Sequence, residues 1–114
     1  MSLVLRRRGP ALAHVAPGVD TLAVRVPDHP AAQELLRRLG PLVMTSANRH
    51  GEPDPGTDTE VLAGLDDAEP PGDLPVVRGA VPGVPSTLVD ATGSRPRILR
   101  EGVIPSAAVA SAWP

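Results

Sequence analysis

The sequence contains no cysteine, no lysine, no phenylalanine and no tyrosine, and Trp113 is its single aromatic residue. Without cysteine there is no disulfide, no thiolate metal ligand and no thiol nucleophile. With a single aromatic, stacking of bases on aromatic platforms is not expected, and the core must be built from aliphatic residues. Every one of the 11 basic residues is an arginine, so lysine chemistry is excluded and guanidinium chemistry is available. No apolar run approaches the roughly 20 residues of a membrane helix. The opening "MSLVLRRRGP" places its arginines after a short apolar run, the reverse of a signal peptide. A cytoplasmic setting is expected on these grounds. The formal charge of -2 gives no global attraction to nucleic acid or anionic membrane.

The 114 residues fit one small domain, and 15 prolines and 11 glycines punctuate its apolar runs. Residues 2–6, "SLVLR", are expected as a strand, exposed as the edge of a sheet cut from something larger. Thr21–Val26 is a second strand ended by Pro27, and the charge of Arg25 within it marks an edge or a solvated face. Asp28 is the expected N-cap of a helix carrying Ala31, Ala32, Leu35, Leu36 and Leu39 on one face, stopped by Gly40. Pro41–Ser46 is expected as a strand buried on both faces, which with Thr21–Val26 would make a βαβ unit.

"TDTE", Thr57 to Glu60, has capping-box spacing and opens a short helix through Val61, Leu62 and Leu65. "DDAEPPGD" is an exposed loop. Strands are expected at Pro75–Arg78, at Thr87–Asp90 and within "RPRILREG", and an alanine-rich helix at Pro105–Trp113.

Hydrolytic triads, zinc spacings and Walker loops are absent from the sequence, and His14, His29 and His50 are scattered. What remains is a set of hydroxyl, amide and guanidinium groups at strand ends: Thr21, Arg25, Ser46, Asn48, Ser86 and Arg100. Together these suit an anionic, hydrogen-bonding ligand, because arginine pairs bidentately with carboxylate or phosphate and Ser and Asn orient it. Each alone reads better as a turn residue, a strand start or part of a solvated face.

In order along the chain, "VRVPDHP", "TSANRHGEP", "GVPSTLVD" and "RILREGVI" resemble the YrdC-like family of threonylcarbamoyl-AMP synthases. The likeness runs from "SLVLRRR" to Ile104, nearly the whole chain but only the C-terminal half of that family's domain. It implies a partial YrdC-like domain at 1–104, followed by a tail or helix at 105–114. The implied fold is α/β, a twisted mixed sheet with flanking helices of the dihydroxybutanone-phosphate-synthase-like type.

The implied chemistry makes threonylcarbamoyl-AMP and pyrophosphate from L-threonine, bicarbonate and ATP, with Mg2+ accompanying the nucleotide, for tRNA modification. Residue by residue, Arg25, Ser46 and Ser86 would contact L-threonine, and Thr21, Asn48, Thr57 and Arg100 the nucleotide. Thr57 stands in for a threonine the family usually has where this chain has Gly56.

The family pairs Ser-x-Asn, here Ser46 and Asn48, with a Lys-x-Arg that a lysine-free sequence does not contain. A half site, from a start codon assigned too late or a degraded gene, weak or inactive alone, is the resulting expectation. A homodimer or a partner supplying the other half would complete it. The alternative is a nucleotide, tRNA or double-stranded-RNA-binding fragment, with Arg6, Arg7, Arg8, Arg37 and Arg38 forming a basic face.

Overall fold

The computed structural model describes residues 1–10, 12–49, 51–65, 77, 79 and 83–114. Two units make up the chain, the first from Met1–Gly40 with Val84–Pro114 and the second from Pro41–Gly83.

The first unit holds four strands, β1 (Ser2–Arg6), β2 (Thr21–Arg25), β3 (Leu88–Asp90) and β4 (Arg97–Arg100), in the order β2-β1-β3-β4. β1 pairs antiparallel with β2 and parallel with β3, and β3 pairs antiparallel with β4. The sheet is therefore mixed, and with its helices the chain is an α/β protein.

The expectation that "SLVLR" forms an exposed edge is corrected: β1 is bonded on both sides, and β2 and β4 are the edges. Both edge strands carry arginine, Arg25 on β2 and Arg97 and Arg100 on β4. Charged side chains suit a strand whose outer groups face water. Val89 is fully buried on β3, flanked by Leu3 and Ile98 in the register. Val109 is the other buried apolar residue among those described, on helix α3 (Ser106–Ala112).

Helix α1 (Pro30–Leu39) begins one residue later than expected, and this corrects Asp28 as its cap. Proline disfavours helical backbone in the residue before it. His29, at φ -151 and ψ 125, is therefore the extended N-cap, and Pro30 takes the first turn, where its missing N–H costs nothing. Gly40 ends the helix as expected, adopting φ 78 and donating its N–H to the Leu36 carbonyl at 3.0 Å.

In the second unit, α2 spans Asp58–Leu65. The Thr57 hydroxyl accepts the Glu60 N–H at 3.2 Å, and the Glu60 carboxylate accepts the Gly56 N–H at 2.6 Å. This is the reciprocal pattern of a capping box, shifted by one residue on its return arm.

Pro41–Ser46 is not a strand, and the βαβ unit expected to contain it does not form. Val43 and Met44 are 75% and 76% exposed. An apolar strand buries both faces only with sheet neighbours on its hydrogen-bonding edges, and no strand lies among the described residues of this unit. β2 pairs instead with the preceding strand, as an antiparallel neighbour. The expected strand Pro75–Arg78, apart from Val77, and the loop at 66–73 lie outside the described residues, as does His50.

Candidate functional site

One end of the sheet gathers the groups of interest. Ser2 lies opposite Arg25 on β2 and opposite Leu88 on β3, and Leu88 lies opposite Arg100 on β4. Arg25, Ser2, Leu88 and Arg100 thus form a row across all four strands. On β4 the register slips, with Arg100 facing Leu88 and Ile98 facing Val89, so Leu99 is the extra residue of a bulge. Bulges redirect side chains in this way at sheet margins and sites.

Ser86, just before β3, joins the row through three contacts. Its hydroxyl is 2.8 Å from that of Ser2. Its carbonyl accepts two hydrogen bonds from the Arg100 guanidinium, from Nε at 3.2 Å and Nη2 at 3.0 Å. Two of the five guanidinium N–H donors are so engaged, which leaves three for a ligand. Arg25, exposed on the edge strand, has no hydrogen-bond or ion-pair partner among the described residues.

The backbone around Ser86 is held from behind by Thr87, which is fully buried. Its hydroxyl donates to the Ile104 carbonyl at 2.7 Å and accepts the N–H groups of Gly102 and Ile104, each at 3.0 Å. The Thr87 carbonyl in turn accepts the Ser2 N–H at 2.8 Å. Gly102 passes so close to this segment that an added Cβ would sit 2.1 Å from the Pro85 carbonyl oxygen. Only glycine fits that approach.

Thr21 is at the far end of β2, opposite Arg6. The structure therefore separates it from the row containing Arg25 by the length of the strand. That far end is locked by Asp90, whose carboxylate accepts the Thr92 N–H at 3.0 Å, the Thr92 hydroxyl at 2.6 Å and Arg97 Nη2 at 2.8 Å. The Thr92 bonds first, then Arg97, lower the Asp90 carboxyl to about 2. Arg6 Nε donates to the Thr92 carbonyl at 3.2 Å.

Within the second unit, Ser46 is exposed and Asn48 half-buried. Asn48 Nδ2 donates to the Glu52 carbonyl at 2.6 Å, closing the turn after the Thr-Ser-Ala-Asn stretch. Its Oδ1 is buried and has no hydrogen-bond partner among the described residues. A buried acceptor without a donor is costly and suits a site that a ligand's N–H or O–H completes. The Thr57 hydroxyl accepts the helix-capping bond, so its proton remains available to donate.

Of the arginines expected to form a basic face, three have carboxylate neighbours, and Arg37 and Arg38, which share one, remain largely exposed. Arg7 pairs with Asp20 at 3.8 Å, and Arg37 and Arg38 both pair with Glu34. Among the described residues no group of three or more His, Asp or Glu could hold a metal ion. No helix among the described residues is long and apolar enough to cross a membrane.

Ser2, Thr87, Asp90 and Gly102 were not among the residues singled out from the sequence. Asp-Ala-Thr-Gly carries an Asx-turn signal at Asp90, whereas Ser2 and Thr87 read only as strand residues.

Fold and site together define an α/β protein in which one end of a mixed sheet offers guanidinium and hydroxyl groups suited to an anionic ligand. The sequence profile of the family described as "Telomere recombination", named for Sua5, YciO and YrdC, matches residues 1–102, and the chain belongs to that family. A Mycobacterium tuberculosis protein (strain H37Rv), named "Putative threonylcarbamoyl-AMP synthase", is 38% identical over 93 residues, covering 79% of this chain and 41% of its own length.

The Bacillus subtilis (strain 168) threonylcarbamoyl-AMP synthase is 34% identical over 113 residues, 91% of this chain and 30% of its own. The synthase of Enterobacter sp. (strain 638) is 49% identical over 80 residues, 67% and 40% of the two chains. The chain thus spans well under half the length of these curated relatives. No solved structure matches it.

Proposed function

We propose that this chain carries part of the substrate cradle of a threonylcarbamoyl-AMP synthase. In that reaction the L-threonine amine takes up bicarbonate with loss of water to give a carbamate. A carbamate oxygen then attacks the α-phosphorus of ATP, and the bond to pyrophosphate breaks. Arg25 pairs with the threonine carboxylate, and Ser86 orients it through its hydroxyl. Arg100 belongs with the nucleotide, and the second unit brings hydroxyl and amide groups of its own at Ser46, Asn48 and Thr57. The product serves tRNA threonylcarbamoyladenosine formation.

The row of Arg25, Ser2 and Arg100, with Ser86 bonded to the last two, is the observation that carries this reading. It sets an unpaired guanidinium level with a pair of hydroxyls in a family whose named members are such synthases. An RNA-binding role draws less support, since the formal charge of -2 gives no global attraction to a polyanion.

Stabilising the departing pyrophosphate calls for preorganised cations, and each missing donor of that kind costs about 100- to 1,000-fold in rate. A sequence with no lysine leaves the Lys-x-Arg element to be supplied from outside these 114 residues.

The test is calorimetric titration of the 114-residue chain with L-threonine and with ATP, alongside pyrophosphate release. Saturable L-threonine binding lost in Arg25→Ala, with release only after addition of a polypeptide bearing Lys-x-Arg, is the expected result. Robust release from the chain alone, or no L-threonine binding, would overturn the proposal.

A further inference from the structure

We infer that Ser2 is a positioning residue for the bound amino-acid carboxylate, acting through the hydroxyl of Ser86. Two hydroxyls 2.8 Å apart share one proton between them, one donating and the other accepting. With Ser2 as the donor, the proton of Ser86 is released from the pair and remains available for an anion.

Neither partner is loosely held. The Ser2 N–H is bonded to the Thr87 carbonyl at 2.8 Å, and Thr87 is pinned by its three hydroxyl bonds to Gly102 and Ile104. On the other side, Arg100 grips the Ser86 carbonyl twice. Ser86 is itself only 8% exposed, so its hydroxyl has few orientations to choose from once Ser2 occupies one of them.

The register also puts Ser2 directly opposite Arg25. A carboxylate paired with Arg25 would therefore lie beside the strand that sets the Ser86 hydroxyl. Removal of the Ser2 hydroxyl frees the Ser86 rotor, and part of the gain from hydrogen bonding the ligand goes into fixing it again. A hydrogen bond of this kind is worth about 0.5–1.5 kcal/mol net, which is roughly a 2- to 10-fold change in affinity.

This inference rests on the assignment of L-threonine to this end of the sheet, and the experiment separates the two. Titrations with L-threonine and with ATP are run on the 114-residue wild type and on Ser2→Ala, Ser2→Thr, Ser86→Ala and the double alanine variant, with far-ultraviolet circular dichroism of each. The expected result is weaker L-threonine binding in Ser2→Ala by roughly 2- to 10-fold, recovery in Ser2→Thr, and unchanged ATP binding. In the Ser86→Ala background the further change Ser2→Ala has no effect.

An unchanged L-threonine affinity in Ser2→Ala, equal losses for threonine and ATP, or additive effects in the double variant would overturn the positioning role while leaving the threonine site standing. If the wild type takes up no L-threonine, the proposed function and this inference fall together.

Discussion

Asp90 accepts hydrogen bonds from the Thr92 hydroxyl, the Thr92 amide and Arg97, and these lower its carboxyl from 3.8 to about 2. A folded-state value below the unfolded one stabilises the fold above the unfolded value, and that contribution is lost as pH falls through the folded value. The window therefore runs from about pH 4 down to about pH 2. Urea midpoints measured at about pH 5 and about pH 2.5 are expected to differ less in Asp90→Asn than in the wild type. An equal difference in the two proteins would remove this role from Asp90.

Gly102 makes a second point at the residue scale, because its constraint is one of space. A Cβ there would meet the Pro85 carbonyl oxygen at 2.1 Å, with the Ser86 carbonyl carbon and the Thr87 nitrogen each at 2.6 Å. All three are backbone atoms, which cannot swing aside as a side-chain tip can. Gly102→Ala is expected to cost about 1–3 kcal/mol in chemical denaturation, the range for forcing extra volume into a packed place. A variant within a few tenths of the wild type would show that this approach is looser than described.

At the scale of elements, the first turn of α2 depends on the reciprocal bonds of Thr57 and Glu60. Thr57→Ala removes the acceptor for the Glu60 N–H and is expected to destabilise the helix by about 1 kcal/mol. Hydrogen exchange of the Glu60 and Val61 amides should speed up accordingly, while amides of β1 and β3 keep their wild-type rates. The ion pairs of Glu34 with Arg37 and Arg38 on α1 are exposed, and each contributes only about 0.3–0.5 kcal/mol.

The elements differ in how plainly the sequence announced them. β2, α1, α2 and α3 were legible because a local signal bounds each one: Pro27 after β2, Gly40 after α1, Thr57 before α2 and Pro105 before α3. β1, β3 and β4 were legible as short apolar runs. Pro41–Ser46 misled because an apolar β-branched run states what a strand would bury but not whether a neighbour exists to pair with it. The position of β1 misled for the same reason, since the number of partners a strand has is a property of the sheet.

Arg25, Ser86 and Arg100 could be suggested as site residues by type and position. That Ser2 meets Ser86 across 84 positions of sequence could not, because no local pattern records such a contact. Thr21 shares β2 with Arg25 but sits at its opposite end, a separation that only the register reveals.

For the whole molecule, the described residues include just two buried apolar side chains, Val89 and Val109. Each carries a large share of what core the first unit has. Val89→Ala should lower stability by about 2 kcal/mol, from two lost methyl groups plus the cavity they leave. A shift in urea midpoint with unchanged slope would report this loss, and a variant as stable as the wild type would place the core elsewhere.

β1 occupies residues 2–6 and yet lies inside the sheet, bonded in parallel to β3 at residues 88–90. A ribosome making this chain would release one flank of that pairing long before the other. β1 and β2 can meet early as an antiparallel pair, but the third strand is separated from the first by most of the sequence. Contacts between such distant residues pay their loop-closure entropy before any gain in bonding, which slows folding. The hydroxyl pair of Ser2 and Ser86 is therefore among the last features to assemble, so ligand-binding competence and completion of the fold should arrive in the same kinetic phase.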